Sequence, residues 1–158
     1  MPLNTALFLS THVTRIDGKG RVSFPAPFRS ALSLRNSQGV AIFSSPADPA
    51  IDGVTIERMQ QMAVALEGLT LFSKERAFYE TAIFAASHEL QIDKEGRCSL
   101  PKPLLDKAGI GLDVAFVGRG ATFQIWDPAK LDRRTQESID AVKSGTLEFP
   151  TLPPGVLL

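Results

Sequence analysis

The chain has 158 residues, of which 44% are hydrophobic and 22% charged, with 17 basic and 17 acidic side chains and a net charge of zero. That balance excludes a disordered polymer and supplies enough apolar residues for a buried core, while the lack of a run of about 18 apolar residues excludes a spanning helix. The opening Met1-Pro2-Leu3-Asn4-Thr5 has neither a basic start nor an apolar stretch, so no leader and a cytoplasmic location are expected.

Leu7 to Ile16 is rich in β-branched residues and predicts a strand ending at Asp17-Gly18-Lys19-Gly20, whose glycines suit the positive φ of a tight turn; Val22 to Phe24 then resumes as the second strand of a β-hairpin. Pro25-Ala26-Pro27 stops that strand, because proline has no N–H to donate, and Phe28 to Leu32 predicts a short helix opened by proline. Val40 to Phe43 is expected as another strand. Met59, Met62, Ala63 and Leu66 recur at helical spacing, and Ser73 to Ile83 predicts a further helix. His88 to Ile92, the turn Asp93 to Gly96 and Arg97 to Leu100 predict a second hairpin. Leu104 to Ala108 then predicts a helix stopped by Gly109, followed by strands at Val114 to Val117 and Phe123 to Trp126. Asp127-Pro128 suits an N-cap and first helical position for an amphipathic helix through Leu131, Thr135, Ser138, Ile139 and Val142. The prolines from Phe149 to Gly155 predict an extended tail.

Much of this pattern occurs twice, 76 positions apart. Ile16-Asp17-Gly18-Lys19-Gly20-Arg21-Val22-Ser23-Phe24-Pro25-Ala26-Pro27 returns as Ile92-Asp93-Lys94-Glu95-Gly96-Arg97-Cys98-Ser99-Leu100-Pro101-Lys102-Pro103, and Thr5, Ala6, Phe8 and His12 return as Thr81, Ala82, Phe84 and His88. Self-similarity at a fixed offset marks one supersecondary unit used twice. The expected division is a first module at 7–68, a connecting helix at 69–86, a second module at 87–145 and a Pro-rich tail at 146–158. Cys98 stands where the first copy has Val22, which predicts a small buried residue; as a lone cysteine it makes no internal disulfide.

Charge separates the two copies. Residues 1–45 carry Arg15, Lys19, Arg21, Arg29 and Arg35 against Asp17 alone, a surplus of +4 that the remaining residues cancel. Such asymmetry points to a face for an anionic partner. An Asp and an Arg four apart across a turn can pair to staple it, and a guanidinium is equally suited to bidentate recognition of phosphate or guanine. Both uses stay open for Asp17, Gly20 and Arg21 and for Asp93, Gly96 and Arg97. The second turn carries Glu95, which repels phosphate, so the surface for a phosphate-bearing partner such as a nucleic acid is expected at the first copy, on Arg15, Lys19 and Arg21 with help from Arg29, and a structural role at the second. His12 and His88 are equivalent positions without metal-ligand spacing, Gly18-Lys19-Gly20-Arg21 lacks the ending of a P-loop, and no nucleophile or carboxylate pair stands out. No enzyme, metal, cofactor or small-molecule substrate is therefore expected.

The doubled Asp-x-x-Gly-Arg with Pro four residues beyond the Arg, with Phe28-Arg29 after the first copy, resembles the MraZ family of bacterial regulators. The similarity extends over most of residues 7–145, including Val114 to Gly118 and Phe123 to Pro128, and departs at Ser44-Ser45-Pro46-Ala47-Asp48-Pro49. The resemblance implies an α+β fold in which a tandem pair of β-hairpin/helix modules forms a swapped-hairpin (double-split) β-barrel with peripheral helices. It also implies ring-like homo-oligomers, nucleoid association, and binding to short direct repeats in double-stranded DNA upstream of the division and cell-wall gene cluster, which includes the protein's own gene, with repression of that cluster. An oligomeric protein-interaction scaffold, or an antitoxin-like use of the same fold, is the alternative.

Overall fold

The computed structural model describes residues 6–156. Thr5 of the repeat, the opening residues Met1 to Thr5 and the last two positions of the tail lie outside them. Among the described residues are eight strands: β1 (Thr11–Arg15), β2 (Arg21–Ser23), β3 (Val40–Ser44), β4 (Ile51–Thr55), β5 (His88–Leu90), β6 (Arg97–Ser99), β7 (Asp113–Gly118) and β8 (Phe123–Trp126). Five α-helices accompany them: α1 (Ala26–Leu34), α2 (Ile56–Leu66), α3 (Lys74–Tyr79), which runs on as a π-helical turn over Glu80–Ala85, α4 (Lys102–Ala108) and α5 (Pro128–Lys143). The fold is α+β with antiparallel ladders throughout: a six-stranded sheet in the order β1-β7-β8-β4-β3-β5 and a separate two-stranded ladder β2-β6. The larger sheet is open, with β1 and β5 at its edges.

The expected hairpins are not formed as ladders. Asp17 N–H donates to Arg21 O at 2.8 Å, after which β1 leaves to pair with β7 and β2 leaves to pair with β6. The second copy does the same, with β5 lying on β3. The exchange is reciprocal: His12 faces Phe116 and its repeat His88 faces Ile42. It is also nearly two-fold, since Val22 lies directly opposite its own repeat, Cys98. Local propensity defines strands but not their partners. A three-residue β2 closed off by Pro25 gains more by adding its twin than by lying on β1, whose alternate residues are needed beside Val114 and Phe116.

Other differences from expectation have local causes. β1 begins at Thr11 rather than Leu7 because Ser10 takes a positive φ of 70°, while Phe8 bridges to Gly120. β4 escaped the sequence reading because Asp52 and Gly53 break its apolar run. Gly53 is required there: the ring of Phe123 on the facing strand occupies the space that a Cβ would take. Gly20 and Gly96 hold φ near +78° and +79°, as their turns require, whereas Gly18 has no positive φ. Asp127 caps α5 by accepting from Lys130 N–H at 3.2 Å.

The core lies between the inner face of the sheet, the β2-β6 ladder and helices α1 and α4. Phe8, Phe24, Phe28, Phe116 and Phe123 are buried there in edge-on and tilted contacts with centroids 5.2–6.5 Å apart. Each such ring contributes about 2–3 kcal/mol of burial, so this cluster anchors the two-stranded ladder to the sheet. On the outer face, α2 and the π-helical turn cover β3 and β4, and α5 covers part of β7 and β8.

Candidate nucleic-acid interface

The two Asp-x-x-Gly-Arg segments build the same turn. Asp17 Oδ1 accepts from the N–H groups of Lys19 at 2.8 Å and Arg21 at 2.9 Å; Asp93 Oδ1 accepts from those of Glu95 and Arg97, both at 2.9 Å. Each aspartate is thus a fold-back acceptor that organises its own loop. These bonds hold both carboxyls below their ordinary value of 3.8. For Asp17 the Arg21 N–H is the largest cause and the Lys19 N–H the next, with burial opposing; for Asp93 the Arg97 N–H leads.

The remaining oxygen of Asp17 is where the copies meet. Arg97 Nη2 lies 2.6 Å from Asp17 Oδ2, and Arg21 Nε lies 3.4 Å from the same atom. The within-turn pair expected for the first copy is present. The one expected for the second is not, because Arg97 reaches across the ladder instead of back to Asp93. Antiparallel pairing of β2 with β6 is the reason: it sets Ser23 opposite Arg97 and Arg21 opposite Ser99, turning all four outward while Val22 and Cys98 face the core. Two guanidiniums therefore converge on one carboxylate oxygen at the surface, with the Asp93 carboxylate near enough to act on both.

Around this centre the other expected residues divide. Lys19 is exposed on the first turn. Arg15, exposed at the end of β1, faces Asp113 across the β1-β7 ladder, with Nε 4.0 Å from its carboxylate. Arg29, on α1, belongs spatially to the second turn: a Cβ placed on Gly96 would stand 2.5 Å from its guanidinium carbon. Gly96 is buried beneath that side chain, whereas Gly20 opens to solvent. The second turn, acidic at Glu95, is thus re-supplied with positive charge by Arg29 beside its own Lys94. Sequence reasoning missed Ser23, Ser99 and Lys94 as members of this surface. The doubled Arg-x-Ser on each side of the buried position was the available signal for the serines.

The remaining chemistry-bearing residues lie elsewhere. His12 packs edge-on against Phe28 with centroids 5.2 Å apart. Cys98 is buried, and burial pushes its thiol up to about 12, which keeps it protonated and unreactive. Among the described residues, no helix is long and apolar enough to cross a membrane.

Residues 83–146 match the family model described as "MraZ protein, putative antitoxin-like". The chain is similar to a protein named transcriptional regulator MraZ from Pelagibacter ubique, 41% identical over 127 residues, 80% of this chain and 82% of that one. It is similar to proteins of the same name from Gluconacetobacter diazotrophicus, 38% identical over 84% of this chain and 86% of the relative, and from Rickettsia canadensis, 36% identical over 80% and 85%. With 36–41% identity over 80–84% of the chain, and with two Asp-x-x-Gly-Arg turns joined by one ladder, the chain belongs to the MraZ family.

Proposed function

We propose that this protein is a sequence-specific DNA-binding transcriptional regulator that docks double-stranded DNA on the outward face of the β2-β6 ladder and its two turns. The observation that carries this reading is the convergence of Arg21 and Arg97 on the single carboxylate of Asp17. Two guanidiniums are brought together on one outward face there, and phosphate is the anion that such a pair recognises through charge-assisted hydrogen bonds. A two-stranded ribbon fits the major groove, about 12 Å wide, where an arginine reads a guanine edge while lysines and further arginines hold the backbone. Arg21 is the candidate base reader. Arg15, Lys19 and Arg29 supply phosphate contacts, and Asp17, Gly20, Asp93, Gly96 and Arg97 hold the geometry. The name "transcriptional regulator" carried by the relatives supports the same role.

The reading extends to a swapped-hairpin barrel completed by the two exchanged modules at 7–68 and 87–145, to homo-oligomers of ring form, and to repression of the division and cell-wall gene cluster through upstream direct repeats. A ring presenting several ribbons at fixed spacing suits repeated DNA, because weak contacts add by avidity when the repeats fall about one helical turn apart.

A fluorescence anisotropy titration tests the DNA reading, using wild type and Arg21→Ala against the duplex upstream of the gene and a scrambled duplex at two salt concentrations. Binding that prefers the native duplex, weakens steeply with salt and vanishes in the variant is the expected result. No binding to either duplex by an assembled protein overturns it, in favour of a scaffold or antitoxin-like module whose basic face meets an acidic protein.

A further inference from the structure

The two turns share a backbone but not their surroundings. At the end of the β2-β6 ladder where Arg21 faces Ser99, the first turn runs beside the start of α4. A cleft of about 330 Å³ lies between them, walled by Ile16, Leu100, Leu105, Ile110 and Leu112. Gly20 lines it as well, and a Cβ there would have no neighbour within 4 Å. Leu112, whose backbone carbonyl accepts from Ile16 N–H at 2.8 Å, is 55% exposed at its edge.

The other copy supplies the contrast. At the repeat offset of 76 positions, Leu105 corresponds to Arg29 and Gly20 to Gly96. The equivalent hollow on α1 is lined by Arg29, Ser30 and Ser33 with Ala26 and Leu34, and a Cβ on Gly96 would meet the Arg29 guanidinium. The same place is polar and filled by a cation at the second turn, apolar and open at the first. The acidic side chains around the open cleft are already matched: Asp106 by Lys102 at 3.2 Å, Asp113 by Arg15 at 4.0 Å, and Asp17 by Arg21 and Arg97. The side chain of Lys19, next to Gly20, has no carboxylate partner among the described residues. The cleft is thus continuous, through Gly20, with the turn that carries Lys19 and Arg21. Most of what a base pair shows in the major groove is a hydrogen-bonding edge, and the apolar exception is the C5 methyl of thymine.

We infer that the cleft between the first turn and α4 receives thymine methyl groups of the duplex docked on the ladder, with Leu105 and Leu112 as the side chains that contact them. This rests on the DNA reading proposed above and adds a second determinant of its specificity. Arg21 reads through hydrogen bonds, the cleft through apolar contact, and the second turn, with Arg29 in the equivalent place, makes no such distinction.

Fluorescence anisotropy on the full chain tests it, with the duplex upstream of the gene and the same duplex carrying deoxyuridine for every thymine, which removes the methyl groups and keeps each base pair. Two variants accompany wild type: Leu112→Ser, at an exposed position, and Leu105→Arg, which fills the cleft as Arg29 fills its counterpart. The readout is the ratio of the two affinities, so a general gain or loss of binding cancels. Wild type is expected to bind the deoxyuridine duplex about four-fold more weakly for each methyl it buries, and the ratio is expected to fall towards one in both variants. Equal affinity of wild type for the two duplexes overturns the inference and leaves the DNA reading intact. An unchanged ratio in the variants assigns the loss to the stiffness of the duplex and overturns it as well. Altered sedimentation of Leu112→Ser assigns the cleft to a second copy, with the same consequence. Absence of binding to either duplex overturns the DNA reading and this inference together.

Discussion

Arg97 Nη2 and Asp17 Oδ2, 80 residues apart in sequence, meet at 2.6 Å, so that a side chain of the second repeat completes the turn of the first. The contact converts two similar local loops into one surface. It also makes the first turn depend on the second. Arg97→Ala is expected to lower stability by about 1 kcal/mol, the scale of a partly exposed ion pair, and to weaken DNA binding less than Arg21→Ala does. Thermal melts and anisotropy titrations on the two variants check this. Equal loss of affinity with unchanged melting in both would refute the division of roles.

Acid should act on the same two turns. Asp17 and Asp93 have folded values below 3.8, so each binds its proton more weakly when folded than when unfolded. Their contribution is fully present above the unfolded value and is lost as pH falls through the folded one. The melting temperature is therefore expected to hold steady above about pH 5 and to decline below about pH 4. Asp17→Asn/Asp93→Asn should start lower and decline less over that range; a parallel decline would remove these carboxyls as a source of acid sensitivity.

The two turn glycines have equal backbone strain but unequal surroundings. Alanine at either position meets a positive φ, worth about 1–2 kcal/mol, while only Gly96→Ala must also displace the guanidinium of Arg29. Gly96→Ala should be the more damaging in chemical denaturation. The excess should disappear in an Arg29→Ala background, where the space is open. An excess that persists would mean Arg29 is not what crowds that turn.

Cys98 should be inert in the native state. Its thiol lies opposite Val22 in the ladder, with its pKa pushed up to about 12 by burial and by the nearby Asp93 carboxylate. Incubation with a thiol-reactive dye at pH 8 is expected to label the protein only after denaturant is added. Rapid native labelling would show that the β2-β6 ladder opens.

Strand positions, turn glycines, proline-opened helices and the doubled Asp-x-x-Gly-Arg are all legible along the chain, because they follow from interactions within a few residues: the φ of Gly20 and Gly96, the missing N–H of Pro25 and Pro101, and the side-chain cap of Asp127. The buried character of Cys98 could be read from Val22 for the same reason. β4 could not be read, since Gly53 is explained by a ring 70 positions away on Phe123.

Which strand pairs with which lay beyond the sequence. β1 and β2 are adjacent along the chain and share a turn, yet the buried faces of β7 and β6 gave each a better partner, and ladder hydrogen bonds carry no label of sequence distance. The same exchange moved Arg29 onto the second turn and Arg97 onto Asp17. Sequence by itself determined the two units and their charges; the tertiary structure alone decided that their arginines share one face, because long-range packing chooses among strands that local forces leave equivalent.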